Sequence, residues 1–154
     1  MALGVTSCTE EVMKVYRSTQ LKKAFLHGHS FTANPIACAV AAANLEMWQE
    51  GKVKEQIRAT AARQKRKLTE MAALESLTNL RQTGTIAAMD IQVSDSGYLS
   101  EIGTQLYLRF QKSGVLLRPL GNTIYVLPPY CMSENDFNTV YGVIAEAISD
   151  LVHA

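Results

Sequence analysis

Two segments carry residues whose types and spacing suit a bound ligand. The first is His27-Gly28-His29-Ser30-Phe31-Thr32-Ala33-Asn34-Pro35-Ile36-Ala37-Cys38-Ala39, which runs on into Val40-Ala41-Ala42-Ala43. Its loop offers backbone N–H groups, the Ser30 hydroxyl and two imidazoles, a set that suits a phosphate or another anion. Asn34 is a good helix N-cap, and Pro35 fits the first helical position, where its missing N–H costs nothing. The alanines behind them allow close approach to the helix, or simply mark a tightly packed core helix. His27 and His29 supply only two metal ligands, and the remaining histidine, His153, is next to the C-terminus. Cys8, Cys38 and Cys131 have no Cys-x-x-Cys spacing, so no metal site is expected.

The second segment centres on Arg118, which ends the apolar run Val115-Leu116-Leu117 and precedes Pro119. A guanidinium leaving apolar surroundings needs a partner, and a carboxylate matches its two-pronged geometry best. No Asp or Glu occurs between Glu101 and Glu134. The partner is therefore either the carboxylate of a ligand or a distant acid in a structural ion pair. Tyr125 alternates with Ile124 and Val126 and faces the opposite side of their strand. It either shares a pocket with Arg118 or is an ordinary half-buried strand tyrosine.

The pattern along the chain predicts the elements that hold these residues. Residues 1–8 read as a short buried strand, and Thr9-Glu10-Glu11-Val12 as the capped start of a helix reaching about Thr19. A helix is expected from Pro35 to about Glu50, stopped by Gly51, and a charged one from Val53 to Leu74. On the latter, Val53, Ile57, Ala61, Leu68 and Met71 form the apolar face, which leaves Arg63-Gln64-Lys65-Arg66-Lys67 as a solvated face. Strands are expected at Leu77–Arg81, Thr85–Val93, Val115–Arg118 and Thr123–Leu127, with a loop at Ser94–Gly97 and a turn at Pro119-Leu120-Gly121-Asn122. Ile102, Leu106 and Phe110 mark a helix from Ser100 to Ser113, ended by Gly114. Ser133 and Asp136 form a capping box for a last helix with apolar face Phe137, Val140, Tyr141, Ile144, Ile148 and Leu151. Helix, two strands, helix, two strands, helix is an α+β layer, a small sheet covered by helices. The expected boundary falls near residue 50, between a small-residue part (1–50) and the α+β part (51–154).

The 154 residues are 47% hydrophobic and 19% charged, with a net charge of +1. That balance produces no field of one sign, so neither nucleic acid nor an acidic membrane is expected as a partner. An odd cysteine count, and the lack of a signal peptide or membrane span, point to the cytoplasm. The apolar opening Met1-Ala2-Leu3-Gly4-Val5 looks cut from something longer.

Both segments resemble class III pyridoxal-phosphate aminotransferases. The carriers are His27–Ala39 and the pattern Arg-Pro-x-Gly-x-x-Ile-Tyr-x-x-Pro-Pro-Tyr over Arg118–Tyr130. The resemblance is strongest to the branch acting in biotin biosynthesis, which moves an amino group from S-adenosylmethionine to 8-amino-7-oxononanoate. It covers the whole chain but only the C-terminal part of the family's length. It implies a remnant of the large cofactor domain (1–50) and the C-terminal small domain (51–154) of fold-type I. It also implies a homodimer in which Gly28, His29 and Ser30 reach across to the cofactor phosphate. Ser30 stands for the usual threonine, and His29 for a common proline. Arg118 would grip the substrate carboxylate, with Tyr125 and Gly28 lining the substrate pocket. The family's Schiff-base lysine would lie ahead of Met1, so no catalytic residue is assigned in this chain and the chain alone is expected to be inactive. A different class III ω-aminotransferase, or a non-catalytic α+β interaction domain, are the other readings.

Overall fold

The computed structural model describes residues 3–94 and 96–152. They fall into two compact units, Met1–Gly51 and Lys52–Ala154. The first unit contains α1 (Glu10–Lys14), a single 3-10 turn (Leu21–Lys23) and α2 (Pro35–Gln49). Thr9 caps α1 as expected, its hydroxyl accepting the Val12 N–H at 3.4 Å. The helix ends at Lys14, well short of Thr19. None of its residues is buried, and a helix without a packed face has too few hydrogen bonds to offset its nucleation cost. Residues 3–8 are exposed and form no strand, contrary to the buried strand expected there; among the described residues no second strand pairs with them. Met1, Ala2, Asp95 and His153, which figured in the sequence reading, lie outside the described residues.

Helix α2 begins where the sequence places it. Asn34 Oδ1 accepts the N–H groups of Ile36 and Ala37, both at 3.1 Å. Only Ala37 is buried, while Ile36, Val40, Leu45, Met47 and Trp48 are exposed.

The second unit is α3 (Lys52–Met71), β1 (Leu77–Thr83), β2 (Ile86–Ile91), α4 (Ile102–Lys112), β3 (Thr123–Val126) and α5 (Glu134–Val152). Its sheet is antiparallel in the order β1-β2-β3. Period-two alternation sends Ala87, Met89, Ile91, Ile124 and Val126 into the core. They meet Leu68 and Met71 of α3, Leu106 and Phe110 of α4, and Phe137, Tyr141, Ile144 and Ile148 of α5. Each fully buried side chain of this size is worth about 1.5–3 kcal/mol. The Ser133 capping box forms as predicted: Ser133 Oγ accepts the Asp136 N–H at 3.2 Å, and Asp136 Oδ2 accepts the Ser133 N–H at 2.9 Å.

Val115–Arg118 is extended but joins no strand, which corrects the sequence reading. Helix α4 ends in a Schellman motif at Gly114 (φ +75°), where the Val115 N–H bonds the Phe110 carbonyl at 2.9 Å and the Gly114 N–H that of Gln111 at 3.1 Å. Its alternation of buried Val115 and Leu117 with exposed Leu116 and Arg118 comes from packing on the core.

The basic run on α3 also departs from a purely solvated face. Lys65 and Arg66 are exposed, but Gln64 is 0% exposed. Its Nε2 donates to the carbonyls of Thr85 and Val126, both at 3.0 Å, and its Oε1 accepts the Tyr141 hydroxyl at 2.5 Å. Lys67 lays its stem on the core and sends Nζ to Glu70 at 2.6 Å.

On the other face of the sheet, Asp90 links all three strands. It accepts from Asn79 Nδ2 at 2.7 Å and Arg81 Nη1 at 3.0 Å, both on β1, and from Thr123 Oγ1 at 2.8 Å on β3. Asn79 sits at a bulge with φ +50°. Burial pushes the Asp90 carboxyl up, but the bonds from Asn79, Thr123 and Arg81, with the Arg81 charge, outweigh it and hold the carboxyl below its ordinary value.

Two outcomes follow from these contacts. Gln64→Ala strands two carbonyls and a hydroxyl in the core, and should cost about 3 kcal/mol or more in urea unfolding; a loss under about 1 kcal/mol would show that water replaces the amide. Folded Asp90 binds its proton more weakly than it does in the unfolded chain. Its stabilisation is therefore complete above the ordinary value of 3.8 and lost as pH falls below it. The stability gap between the parent and Asp90→Asn should accordingly narrow between about pH 6 and about pH 2.5.

Candidate functional site

In the first unit, the loop before α2 is a tight local turn. The Thr32 N–H bonds the His29 carbonyl at 2.9 Å, and the Asn34 N–H that of Phe31 at 3.2 Å. Thr32 Oγ1 accepts the His29 N–H at 3.0 Å, and His29 Nδ1 accepts the Phe31 N–H at 3.2 Å. His29 is thus a structural member of its own turn, and its amide is already engaged. The N–H groups of Gly28 and Ser30 and the Ser30 hydroxyl have no partner among the described residues. This is the part of the loop that suits an anion. Next to it lies a cavity of about 350 Å³ that includes Leu3, Thr6, His27, His29, Phe31 and Asn34. Gly28 and Ser30 are not among its walls.

In the second unit, Arg118 stands on the rim of a cavity of about 670 Å³ formed by the Gly97–Ser100 loop, the start of α4 and the turn before β3. Tyr98, Leu99, Thr104, Tyr107 and Leu120 supply its walls, and Glu101 stands in the same cavity. Leu117 is buried and Arg118 exposed, as extended backbone dictates. Arg118 forms no ion pair or hydrogen bond among the described residues, in contrast to Arg63, Arg66, Arg81 and Arg109. The structural ion pair therefore finds no support here. A free guanidinium beside two tyrosine rings and two leucines presents two parallel donors next to an apolar wall, an arrangement suited to a carboxylate with an aliphatic body.

Tyr125 sits elsewhere. It pairs with Ala88 on the sheet face opposite the core, half-buried, and it does not line the Arg118 cavity. The structure therefore keeps Arg118 and Tyr125 apart within this unit. The sequence reading missed Tyr98, Glu101, Thr104 and Tyr107. A signal was present: Ser100, Thr104 and Tyr107 recur at helical spacing beside the apolar line Ile102-Leu106-Phe110, marking a second, polar-edged stripe on α4.

Residues 1–148 match the model of aminotransferase class-III. The chain belongs to that family. It is 36% identical over 151 residues to the adenosylmethionine-8-amino-7-oxononanoate aminotransferase of Synechococcus elongatus, across 98% of this chain and 35% of that protein. Its identity to the protein of the same name from Aquifex aeolicus is 30%, again across 98% and 35%. The solved structure so named from Methanocaldococcus jannaschii aligns with a TM-score of 0.74 and 26% identity, over 83% of this chain and 30% of that one. An omega-transaminase from Thermomicrobium roseum shares the fold with a TM-score of 0.79 at 21% identity, over 92% of this chain and 32% of that one. The chain therefore spans about a third of the length of the curated relatives it matches.

Within this class-III chain the described residues contain no cluster of three or more metal-binding side chains, and no helix long and apolar enough to cross a membrane. The three cysteines are unpaired and exposed. For Arg118 the geometry makes a direct prediction. Because no intramolecular partner is lost, Arg118→Gln should change unfolding free energy by no more than about 0.5 kcal/mol, read by urea titration. A drop of about 2 kcal/mol or more would reveal a buried structural partner.

Proposed function

We propose that this chain is the C-terminal part of a pyridoxal-phosphate aminotransferase of biotin biosynthesis, which transfers an amino group from S-adenosylmethionine to 8-amino-7-oxononanoate. In this reading residues 1–50 are a remnant of the large cofactor domain and residues 51–154 the small domain. The observation that carries it is the unpaired Arg118 guanidinium at a cavity with apolar and polar walls, in a chain whose 30–36% identical relatives bear that enzyme's name. Its role is to hold and orient the carboxylate of the amino acceptor, whose aliphatic chain lies along Leu99 and Leu120. Tyr125 would contribute to the substrate pocket only in an assembly that brings further chain against the outer sheet face.

Pyridoxal phosphate, when bound, supplies the electron sink for amino transfer. The free hydroxyl and N–H of Ser30 fit one of its phosphate oxygens, and Gly28 offers a further unpaired N–H beside both cofactor and substrate. His29 shapes that loop through its ring nitrogen and adds no free amide. Ser30 holds one corner of a phosphate, which agrees with a homodimer in which the partner subunit supplies the remainder. In this reading the lysine that carries the cofactor belongs to the family's length ahead of this segment, and the 154 residues alone are an inactive part of a cytoplasmic enzyme.

The test is kinetic. In the polypeptide that joins this segment to the preceding family length, Arg118→Lys should lower kcat/KM for 8-amino-7-oxononanoate by roughly 30-fold or more, an effect of about 2 kcal/mol, because an ammonium lacks the two-point fork. The melting temperature should hold. Unchanged kinetics with a lowered melting temperature would return Arg118 to a structural role.

A further inference from the structure

The cavity beside Arg118 is assembled from three pieces of backbone that meet with no side chain between them. Leu120 and Thr123 close a two-residue turn, the Leu120 N–H bonding the Thr123 carbonyl at 2.9 Å and the Thr123 N–H that of Leu120 at 3.0 Å. Gly121, first of the two turn residues, has φ +58°, and a Cβ there would overlap the Gly97 carbonyl. A Cβ on Gly103, in the first turn of α4, would stand 2.8 Å from the Gly121 oxygen. The Gly97 loop, the start of α4 and the turn after Arg118 are therefore pressed together.

Asn122 holds this junction. Its own turn is already closed by backbone bonds, so its side chain is free to reach other segments. Asn122 Nδ2 donates to the Ile91 carbonyl at 2.9 Å, and the Asn122 backbone carbonyl accepts the Ile91 N–H at 2.9 Å, which docks the turn on the end of β2. Its Oδ1 accepts the Gly97 N–H at 2.8 Å. Tyr98 and Leu99 follow Gly97 directly and form the wall that faces Arg118-Pro119-Leu120. Among the described residues, Asn122 is the one polar side chain that bonds this wall to the turn carrying Arg118.

We propose that Asn122 is a positioning residue for the Arg118 cavity, fixing the Tyr98–Leu99 wall at the distance at which a carboxylate on Arg118 has its aliphatic body covered. The proposal rests on the reading of Arg118 as the carboxylate-binding residue. Asn122 touches no ligand itself; it sets the width of the cavity. The Gly103–Gly121 contact sets the same width from the helix side.

The test uses the 154-residue chain with octanoate and octanamide as probes, titrated by NMR. The parent should bind octanoate in preference to octanamide, and Arg118→Gln should abolish the preference. Asn122→Ala should weaken octanoate binding about tenfold, measured on folded molecules. Gly103→Ala, which favours the helix but pushes the Gly121 carbonyl away, should weaken it several-fold with the fold retained. A purely structural Asn122 would lower the melting temperature and leave the dissociation constant unchanged. If Asn122→Ala does not fold, Gly103→Ala decides. If both folded variants bind octanoate like the parent while Arg118→Gln does not, the positioning role fails and the carboxylate reading stands. If Arg118→Gln keeps the preference, or the parent shows none, the carboxylate reading fails and the proposal falls with it.

Discussion

The amide of Gln64 is the constraint on which the second unit depends. A primary amide taken out of water must find partners for its N–H groups and its oxygen, or its burial costs several kcal/mol. Gln64 finds them on three different elements: the residue before β2, the last residue of β3, and Tyr141 on α5. One side chain thereby sets where α3 lies along the sheet and where α5 lies beside α3. Apolar packing supplies most of the free energy, but it is non-directional and tolerates sliding. The amide makes one register fully satisfied and its neighbours unsatisfied. Tyr141, buried at 3% exposure, has its hydroxyl held in the neutral form by that burial.

The site inherits this order. With α3 and α5 locked against one face of the sheet, β2 and β3 end at defined points, and the turn that links Arg118 to β3 is anchored at Ile91. Arg118 is exposed and without an internal partner because the extended backbone before it places Val115 and Leu117 inward. The core thus uses every second residue of that stretch and leaves the guanidinium exposed. The first unit has the opposite character. Its loop is held by short-range hydrogen bonds around His29 and Thr32, but its helices bury almost nothing among the described residues.

Local signals in the sequence held where the governing interaction is itself local. The Asn34-Pro35 start of α2, the Thr9 cap, the Ser133–Asp136 box, the Gly114 stop and the 3.6-residue stripe of α5 each involve residues within one or two turns of each other. Their physics is complete in a short window. The departures share the opposite cause. Alternating Val115-Leu116-Leu117-Arg118 carries the pattern of a strand, but strand identity needs a partner with free backbone groups, and helix α4 had already taken the Val115 amide. Glu10–Lys14 had the caps of a longer helix without a face to bury.

The sequence by itself determined the α+β class, the caps and turns, the motif that places the chain among the class-III aminotransferases, and Arg118 as the residue to examine. Only the tertiary structure decided that Gln64 belongs to the core, that Asp90 ties three strands, that Tyr125 does not line the Arg118 cavity, and that Tyr98, Thr104 and Tyr107 do. The physical reason is separation along the chain. Gln64 and Tyr141, or Gly97 and Asn122, are joined by directional bonds whose partners are chosen by packing. A linear pattern records that a residue is polar, and the folded geometry decides which atom satisfies it.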